Sequence, residues 1–127
     1  MRTANLTGAQ LDYWTARAEG VPADQLEIRD MPRPDDPRAP KQICVRLGYP
    51  INTRDMRIDY STSWSNGGPL VEKHRLAVLA DNKDWTAGRS FCGEFCAGDG
   101  ETGDTPLIAV CRAVVRAAFG DEVEDLP

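Results

Sequence analysis

Apolar residues recur at helical spacing near the start of the chain. Leu11, Trp14 and Ala18 lie three and four residues apart, which places them on one face of a helix. Thr7 and Gln10 have the spacing of a capping box, in which the Thr7 hydroxyl and the Gln10 amide satisfy backbone groups at a helix start. Gly20 is typical of a left-handed C-terminal cap. The pattern therefore predicts a helix over residues 8–19.

The same period of about 3.6 residues returns near the end of the chain. Thr105-Pro106 supplies a hydroxyl N-cap followed by proline, and Gly120 provides a terminating residue. The apolar positions between these signals are Leu107, Val110, Cys111, Val114 and Ala118. They predict a second helix over residues 106–119, lying beside the first helix on one face of a sheet.

Strand patterns lie between the two helices. Residues 43–47 alternate between apolar and polar side chains, while residues 76–80 and 85–90 flank a polar turn, Asp81–Asp84. The latter pair predicts a β-hairpin, and the alternation of Met56, Ile58 and Tyr60 is typical of an edge strand. We therefore expect an α+β fold, in which a small, mainly antiparallel sheet packs against two longer helices and one short helix.

The chain length favours one domain over residues 1–127. Proline recurs through residues 30–41, which excludes a long helix and predicts an exposed loop. Acidic residues crowd the other end of the chain, so we expect residues 121–127 to form a solvated tail that is dispensable for folding.

The stretch Tyr60–Lys73, YSTSWSNGGPLVEK, carries the candidate binding chemistry. Pro69 fits the first turn of a short helix, and a preceding Gly-Gly leaves backbone N–H groups open to an anion. A plain turn before a helix is the alternative reading of Gly-Gly-Pro. If a ligand binds, aromatic faces, hydroxyls, an amide and the glycines would contact it, with Arg57 or Arg75 adding charge. The candidate ligand-binding residues are Tyr60, Ser63, Trp64, Ser65, Asn66, Gly67 and Gly68.

Three segments of the chain resemble the NinX-type proteins of tailed bacteriophages and prophages. The stretch YSTSWSNGGPLVEK is similar to that family's Y-S-T-D-W-x-x-G-G-P-I-I-E pattern. Leu6–Gly20 resembles its first helix, and Asp104–Val123 resembles its closing T-P-L-I-A…G-D-E-V segment. The residues between 21 and 59 and the two-cysteine segment 91–103 depart from the pattern. The resemblance implies a small α/β or α+β phage protein of uncharacterised function, and it supplies no catalytic residues to transfer.

Composition narrows the classes of function. The net charge of −5 comes largely from the C-terminal acids, and nothing indicates a basic groove for nucleic acid. No apolar run approaches the roughly 20 residues of a membrane span, and the first residues lack the apolar core of a signal peptide. We therefore expect the protein in the host bacterial cytoplasm, where its four cysteines would stay reduced.

Cysteine and histidine leave two further alternatives open. Cys92 and Cys96 have the spacing of two zinc ligands, with His74, Cys44 or Cys111 completing a site, but no second close pair exists. They also have the spacing of a reversible disulfide. His74 is the single histidine, and no catalytic signature lies near it. We expect neither a metal site, nor a cofactor, nor catalytic residues.

The sequence thus favours a non-catalytic phage accessory protein that binds a small anionic ligand, such as a nucleotide signal, or a host protein. A structural or interaction protein with no small-molecule ligand is the first alternative. An enzyme using His74 and a cysteine is the second. A homodimer is expected if two helices leave part of the small sheet uncovered.

Overall fold

The structure, a computed structural model, describes residues 1–31, 42–49, 52–80, 83–91, 94–95 and 100–124. Its three helices are α1 (Gly8–Ala18), α2 (Trp64–Lys73) and α3 (Pro106–Phe119). Its strands are β1 (Leu26–Met31), β2 (Gln42–Tyr49), β3 (Asn52–Ile58), β4 (Leu76–Ala80), β5 (Trp85–Phe91), β6 (Glu94–Phe95) and β7 (Glu101–Gly103). All strand pairs in the described part of the chain are antiparallel, which confirms the α+β class. Among the described residues, none of the helices has the length and apolar character needed to cross a membrane.

Helix α1 begins and ends at the predicted signals. Thr7 is its N-cap, although the Thr7 side chain makes no capping hydrogen bond, so the side-chain half of the predicted capping box does not form. At the other end Gly20 has φ +97°, its N–H donates to Arg17 O at 3.1 Å, and Val21 N–H donates to Ala16 O at 3.1 Å. This pair of bonds is a Schellman motif, and it requires the left-handed backbone that glycine adopts without strain.

Helix α3 is the centre of the core. The Thr105 hydroxyl accepts a hydrogen bond from Ile108 N–H at 3.2 Å, Pro106 is the first helical residue, and Gly120 ends the helix with φ +86°. Helices α1 and α2 and strands β4, β5 and β7 all pack on it. Half of its residues are therefore buried: Leu107, Ala109, Val110, Cys111, Ala113, Val114 and Val115.

The strands form two sheets, whereas the sequence pattern suggested one. Strands β1, β2 and β3 form a three-stranded meander. The predicted hairpin of β4 and β5, with Leu76 opposite Arg89 and Ala80 opposite Trp85, belongs to the second sheet, where β6 and β7 also pair with β5. The expectation that residues 43–47 share a sheet with this hairpin is wrong. Alternation marks a strand but carries no information on its non-local partner.

The acidic C-terminal segment is docked on the body at Val123. Val123 is only 8% exposed and belongs to the main core cluster, and its N–H donates to Met1 O at 2.9 Å. Asp121 O accepts from Thr3 N–H at 2.8 Å, and the Thr3 hydroxyl donates to Gly120 O at 2.8 Å. The expectation of a wholly solvated tail is therefore wrong at Val123, and these contacts argue against the prediction that the segment is dispensable for folding. Residues 125–127, like most of the proline-rich residues 30–41, lie outside the described part of the chain.

Candidate functional site

The start of helix α2 differs from the prediction. The helix begins at Trp64 with Ser63 as its N-cap, and Pro69 lies inside the helix rather than in its first turn. Ser63 O accepts hydrogen bonds from Asn66 N–H at 3.2 Å and Gly67 N–H at 2.7 Å. The expected helix start at Gly67–Pro69 is wrong, because the helix has already formed before the Gly-Gly pair. The N–H of Gly67 is therefore engaged within the helix.

The two glycines of this stretch have different surroundings. A Cβ atom on Gly67 would lie 2.1 Å from Tyr60 O and 2.9 Å from Leu107 Cδ2. Gly67 thus allows α2 to approach the backbone of the preceding turn and helix α3, which is a packing role. A Cβ atom on Gly68 would meet only Trp64 Cε3, at 3.4 Å.

The first turn of α2 is a polar surface around an exposed tryptophan. Trp64 is 58% exposed, Ser65 and Asn66 are exposed, and Ser63 is half-buried. Asn66 Nδ2 donates to Asp59 Oδ1 at 2.5 Å. The Asp59 carboxylate therefore lies at the positive end of the helix dipole, where it is favourable and where it repels a second anion.

Tyr60 feels the charges at the other end of α2. It is half-buried and packs against the core, and its pKa is raised, first by burial and then by the negative charge of Glu19. Glu19 accepts a hydrogen bond from Lys73 Nζ at 2.7 Å, and its other oxygen lies 3.3 Å from His74 Nε2. The hydrogen bond that Lys73 donates to Glu19 raises the pKa of Lys73. These contacts join the C-terminal ends of α1 and α2.

A cleft of about 380 Å³ opens beside His74. Its polar walls are His74 from the end of α2, Arg89 from β5, Arg116 from α3 and Asp121. Its remaining lining residues are Leu76, Ala113, Val114, Ala117 and Gly120. We refer to the four aliphatic residues of this set as the apolar floor. An apolar surface on which a few polar groups converge is the usual construction of a small-molecule site.

The positive charge of this cleft comes mainly from Arg89. Arg116 Nη1 lies 2.8 Å from Glu101 Oε1 and Nη2 lies 3.0 Å from Asp121 Oδ1, while Glu19 faces His74. Arg89 is exposed and has no ion-pair partner among the residues that the structure describes. An anion entering the cleft would therefore meet the Arg89 guanidinium, which no described residue compensates, and the Arg116 guanidinium, which is already shared between two carboxylates.

The sequence-based candidates and this cleft lie at opposite ends of α2. The structure brings Ser63, Trp64, Ser65 and Asn66 together in the first helical turn, whereas Gly67 packs inside and Tyr60 is half-buried against the core. Arg75 is exposed and follows α2. Arg57 lies in β3, and the structure describes its backbone but not its side chain. Sequence reasoning singled out neither Arg89 nor Arg116 as a site residue. Arg112 and Arg116 lie four residues apart, which places them on one stripe of α3, but that spacing does not reveal that Arg116 meets Glu101.

Of the cysteine side chains, the structure describes only that of Cys111. Burial raises the pKa of the Cys111 thiol to about 12, so the thiol is neutral near pH 7 and unsuited to act as a nucleophile. The described residues contain no cluster of three metal-ligating side chains. Cys92 and Cys96 lie outside the described residues, and the zinc and disulfide alternatives for them stay predictions.

The fold and cleft define a small α+β protein with a polar cleft between two helices and a hairpin. A protein-family model described as "Bacteriophage P22, NinX" matches residues 2–117. The chain therefore belongs to the NinX family of phage proteins, as its resemblance implied. No curated protein matches it.

Proposed function

We propose that this phage accessory protein acts in the host cytoplasm by binding a small organic anion in the cleft beside α3. The observation that carries the proposal is the arrangement of Arg89, Arg116 and His74 around an apolar floor. Arginine presents a planar set of donors that matches phosphate and carboxylate oxygens. The apolar floor would contact the organic part of the ligand.

A binding role, rather than a catalytic one, is supported by the states of two residues. His74 Nε2 faces Glu19 at 3.3 Å, so the ring is held in a contact between helices. The Cys111 thiol is buried and has a pKa of about 12, which keeps it protonated. The pairing of His74 with a cysteine, considered from sequence, therefore gains no support at Cys111.

A contact with a host protein is the second candidate, and Trp64 is the observation that favours it. This side chain is 58% exposed beside polar neighbours, and tryptophan is enriched among residues that dominate protein interfaces. Trp64 and His74 are separated by the length of α2, about 15 Å at the helical rise per residue. A ligand in the cleft and a partner at Trp64 would therefore use different surfaces.

Isothermal titration calorimetry with inorganic phosphate, pyrophosphate and nucleoside monophosphates tests the proposal. We expect binding that Arg89→Ala weakens at least about tenfold, because one charge-assisted contact is lost. Trp64→Ala is the matched control at the other end of α2, and it should leave the affinity unchanged. Loss of binding only in Trp64→Ala would move the site to the start of α2. No heat with any of these anions would refute the proposal.

Native mass spectrometry of the intact protein complements the titration. It reports co-purified ligand, metal and oligomeric state together, so it also tests the predicted homodimer and the predicted absence of metal. One zinc ion per chain would contradict the metal-free prediction.

A further inference from the structure

The walls of the cleft present accessible charges of both signs, and these charges lie on different elements. Arg89 lies on β5, where it pairs with Leu76 of the apolar floor, whereas Asp121 directly follows α3. Arg89 is exposed and has no ion-pair partner among the residues that the structure describes. The Asp121 side chain is 68% exposed. A ligand in the cleft can therefore reach a guanidinium and a carboxylate at the same time.

The contact between Asp121 and Arg116 leaves the carboxylate able to accept another donor. Asp121 Oδ1 lies 3.0 Å from Arg116 Nη2, but a carboxylate offers about four lone-pair sites on two oxygens. The backbone of this residue is held in place, because Asp121 O accepts Thr3 N–H at 2.8 Å and Val123 is buried in the core. Asp121 thus remains at the wall of the cleft as an acceptor, and a cationic group can bind it without displacing Arg116.

The balance of charge around the cleft favours a ligand that carries both signs. Arg116 is largely compensated, because its Nη1 lies 2.8 Å from Oε1 of Glu101, whose side chain is 7% exposed. Arg89 and Asp121 are then the opposite charges that face a ligand. A plain anion is attracted by Arg89 but repelled by Asp121. A ligand that has an ammonium group in addition to its anionic group is attracted by both residues.

We propose that the ligand of the cleft is a small zwitterion, in which an anionic group binds Arg89 and an ammonium group binds Asp121. The inference rests on the proposed function, since it adds a second charged group to the ligand of the same cleft. The chain between the two charges packs on the apolar floor. Free amino acids and related small amines with one anionic group belong to this class.

Pairs of ligands that differ only in the ammonium group test the inference by calorimetry. In 4-aminobutanoate and pentanoate, and again in 6-aminohexanoate and heptanoate, an ammonium group and a methyl group occupy the same end of the chain. The two chain lengths provide two different spans between the charges. We expect wild-type protein to bind the amino acid about fivefold more tightly than the plain carboxylate in at least one pair, as befits an exposed ion pair.

Replacement of Asp121 by asparagine should move the two ligands of that pair in opposite directions. The amino acid loses an attraction and should bind about threefold more weakly. The plain carboxylate loses a repulsion and should bind about twofold more tightly. Damage to the cleft would weaken both ligands, so the opposite signs identify the charge of Asp121 as the cause. Arg89→Ala should weaken both ligands, because both place their carboxylate there.

Glu122→Gln is the matched control, because it removes the same charge from the neighbouring residue, which is exposed and does not line the cleft. It should change every affinity by less than about twofold. If the ligands bind in an Arg89-dependent manner but the ammonium group adds no affinity in either pair, the inference is wrong and the proposed function stands. The same conclusion follows if Asp121→Asn weakens both members of a pair. If neither these ligands nor the phosphates named for the proposed function bind, the proposed function fails and the inference fails with it.

Discussion

Replacement of Gly67 by alanine should destabilise the protein, although alanine favours helices over glycine. The new Cβ would lie 2.1 Å from Tyr60 O, about 1.3 Å short of the 3.4 Å at which ordinary contact begins. The obstructing atom belongs to the backbone. The next residue, Ser61, is itself fixed, because its N–H donates to the buried Asp12 carboxylate at 2.8 Å. The overlap can therefore be relieved only by moving α2 away from the core.

The magnitude follows from two opposing terms. Overpacking of a buried site costs about 1–3 kcal/mol, and we take the upper value because the clash is with backbone. The gain in helix propensity returns about 1 kcal/mol. The net loss is about 2 kcal/mol in the free energy of unfolding, or a fall in Tm of about 6–10 °C for a chain of this size.

Gly68→Ala is the matched control, since the same substitution one residue later meets only the edge of Trp64, at 3.4 Å. It should leave the Tm unchanged or raise it by about 3 °C through helix propensity. Calorimetric melting of the two variants beside wild type measures the difference. If Gly67→Ala melts at or above the wild-type temperature, the close approach of α2 to the turn at Tyr60 is not present and the reasoning is refuted.

Three further predictions concern buried groups. Val123→Ala should lower the free energy of unfolding by about 2 kcal/mol, because it removes a buried side chain. Glu124→Gln, at the exposed neighbouring site, should change it little. Equal melting temperatures of the two variants would mean that the segment around Val123 does not dock on the core. Asp12→Ala should cost about 1–3 kcal/mol because it leaves Ser61 N–H buried without its acceptor, and Asp12→Asn, which keeps an acceptor, should cost less. Burial raises the pKa of Cys111 from 9.0 to about 12, so the linked contribution to stability is complete below pH 9 and is lost as the pH rises to about 12. Tyr60 and Lys73, whose pKa values are also raised, lose stability in the same window in both proteins. In denaturant titrations the unfolding free energy of wild type should therefore decline by roughly 4 kcal/mol more than that of Cys111→Ala, and parallel curves would contradict the burial of the thiol.

Local signals in the sequence determined the ends of α1 and α3 and the hairpin, but not the start of α2. Helix α3 runs over Pro106–Phe119 as predicted, because its hydroxyl cap, its first-turn proline and its terminal glycine act within a few residues of chain. The same holds for Gly20 after α1 and for the antiparallel pairing of β4 with β5. Family membership was also readable, since three segments kept the NinX pattern in order.

The tertiary structure decided what those elements meet. The sequence suggested that Gly67 leaves room for a ligand. In the structure, the backbone of Tyr60 and the side chain of Leu107, forty residues away in the chain, occupy the space that a side chain at Gly67 would need. Val123 looked like part of a solvated tail, but it is buried in the core. Both positions depend on contacts between distant segments, which the period and composition of a local stretch cannot encode.

The candidate cleft is the clearest case of this division. Arg89 lies on β5, whereas Arg116 and Asp121 lie in the last turn of α3 and directly after it, and each alone has the character of an ordinary charged surface residue. Their juxtaposition arises because β5 and the end of α3 meet beside the C-terminal end of α2. The sequence by itself determined the elements and the family, whereas the assembly of charge around an apolar floor exists only once those elements have packed.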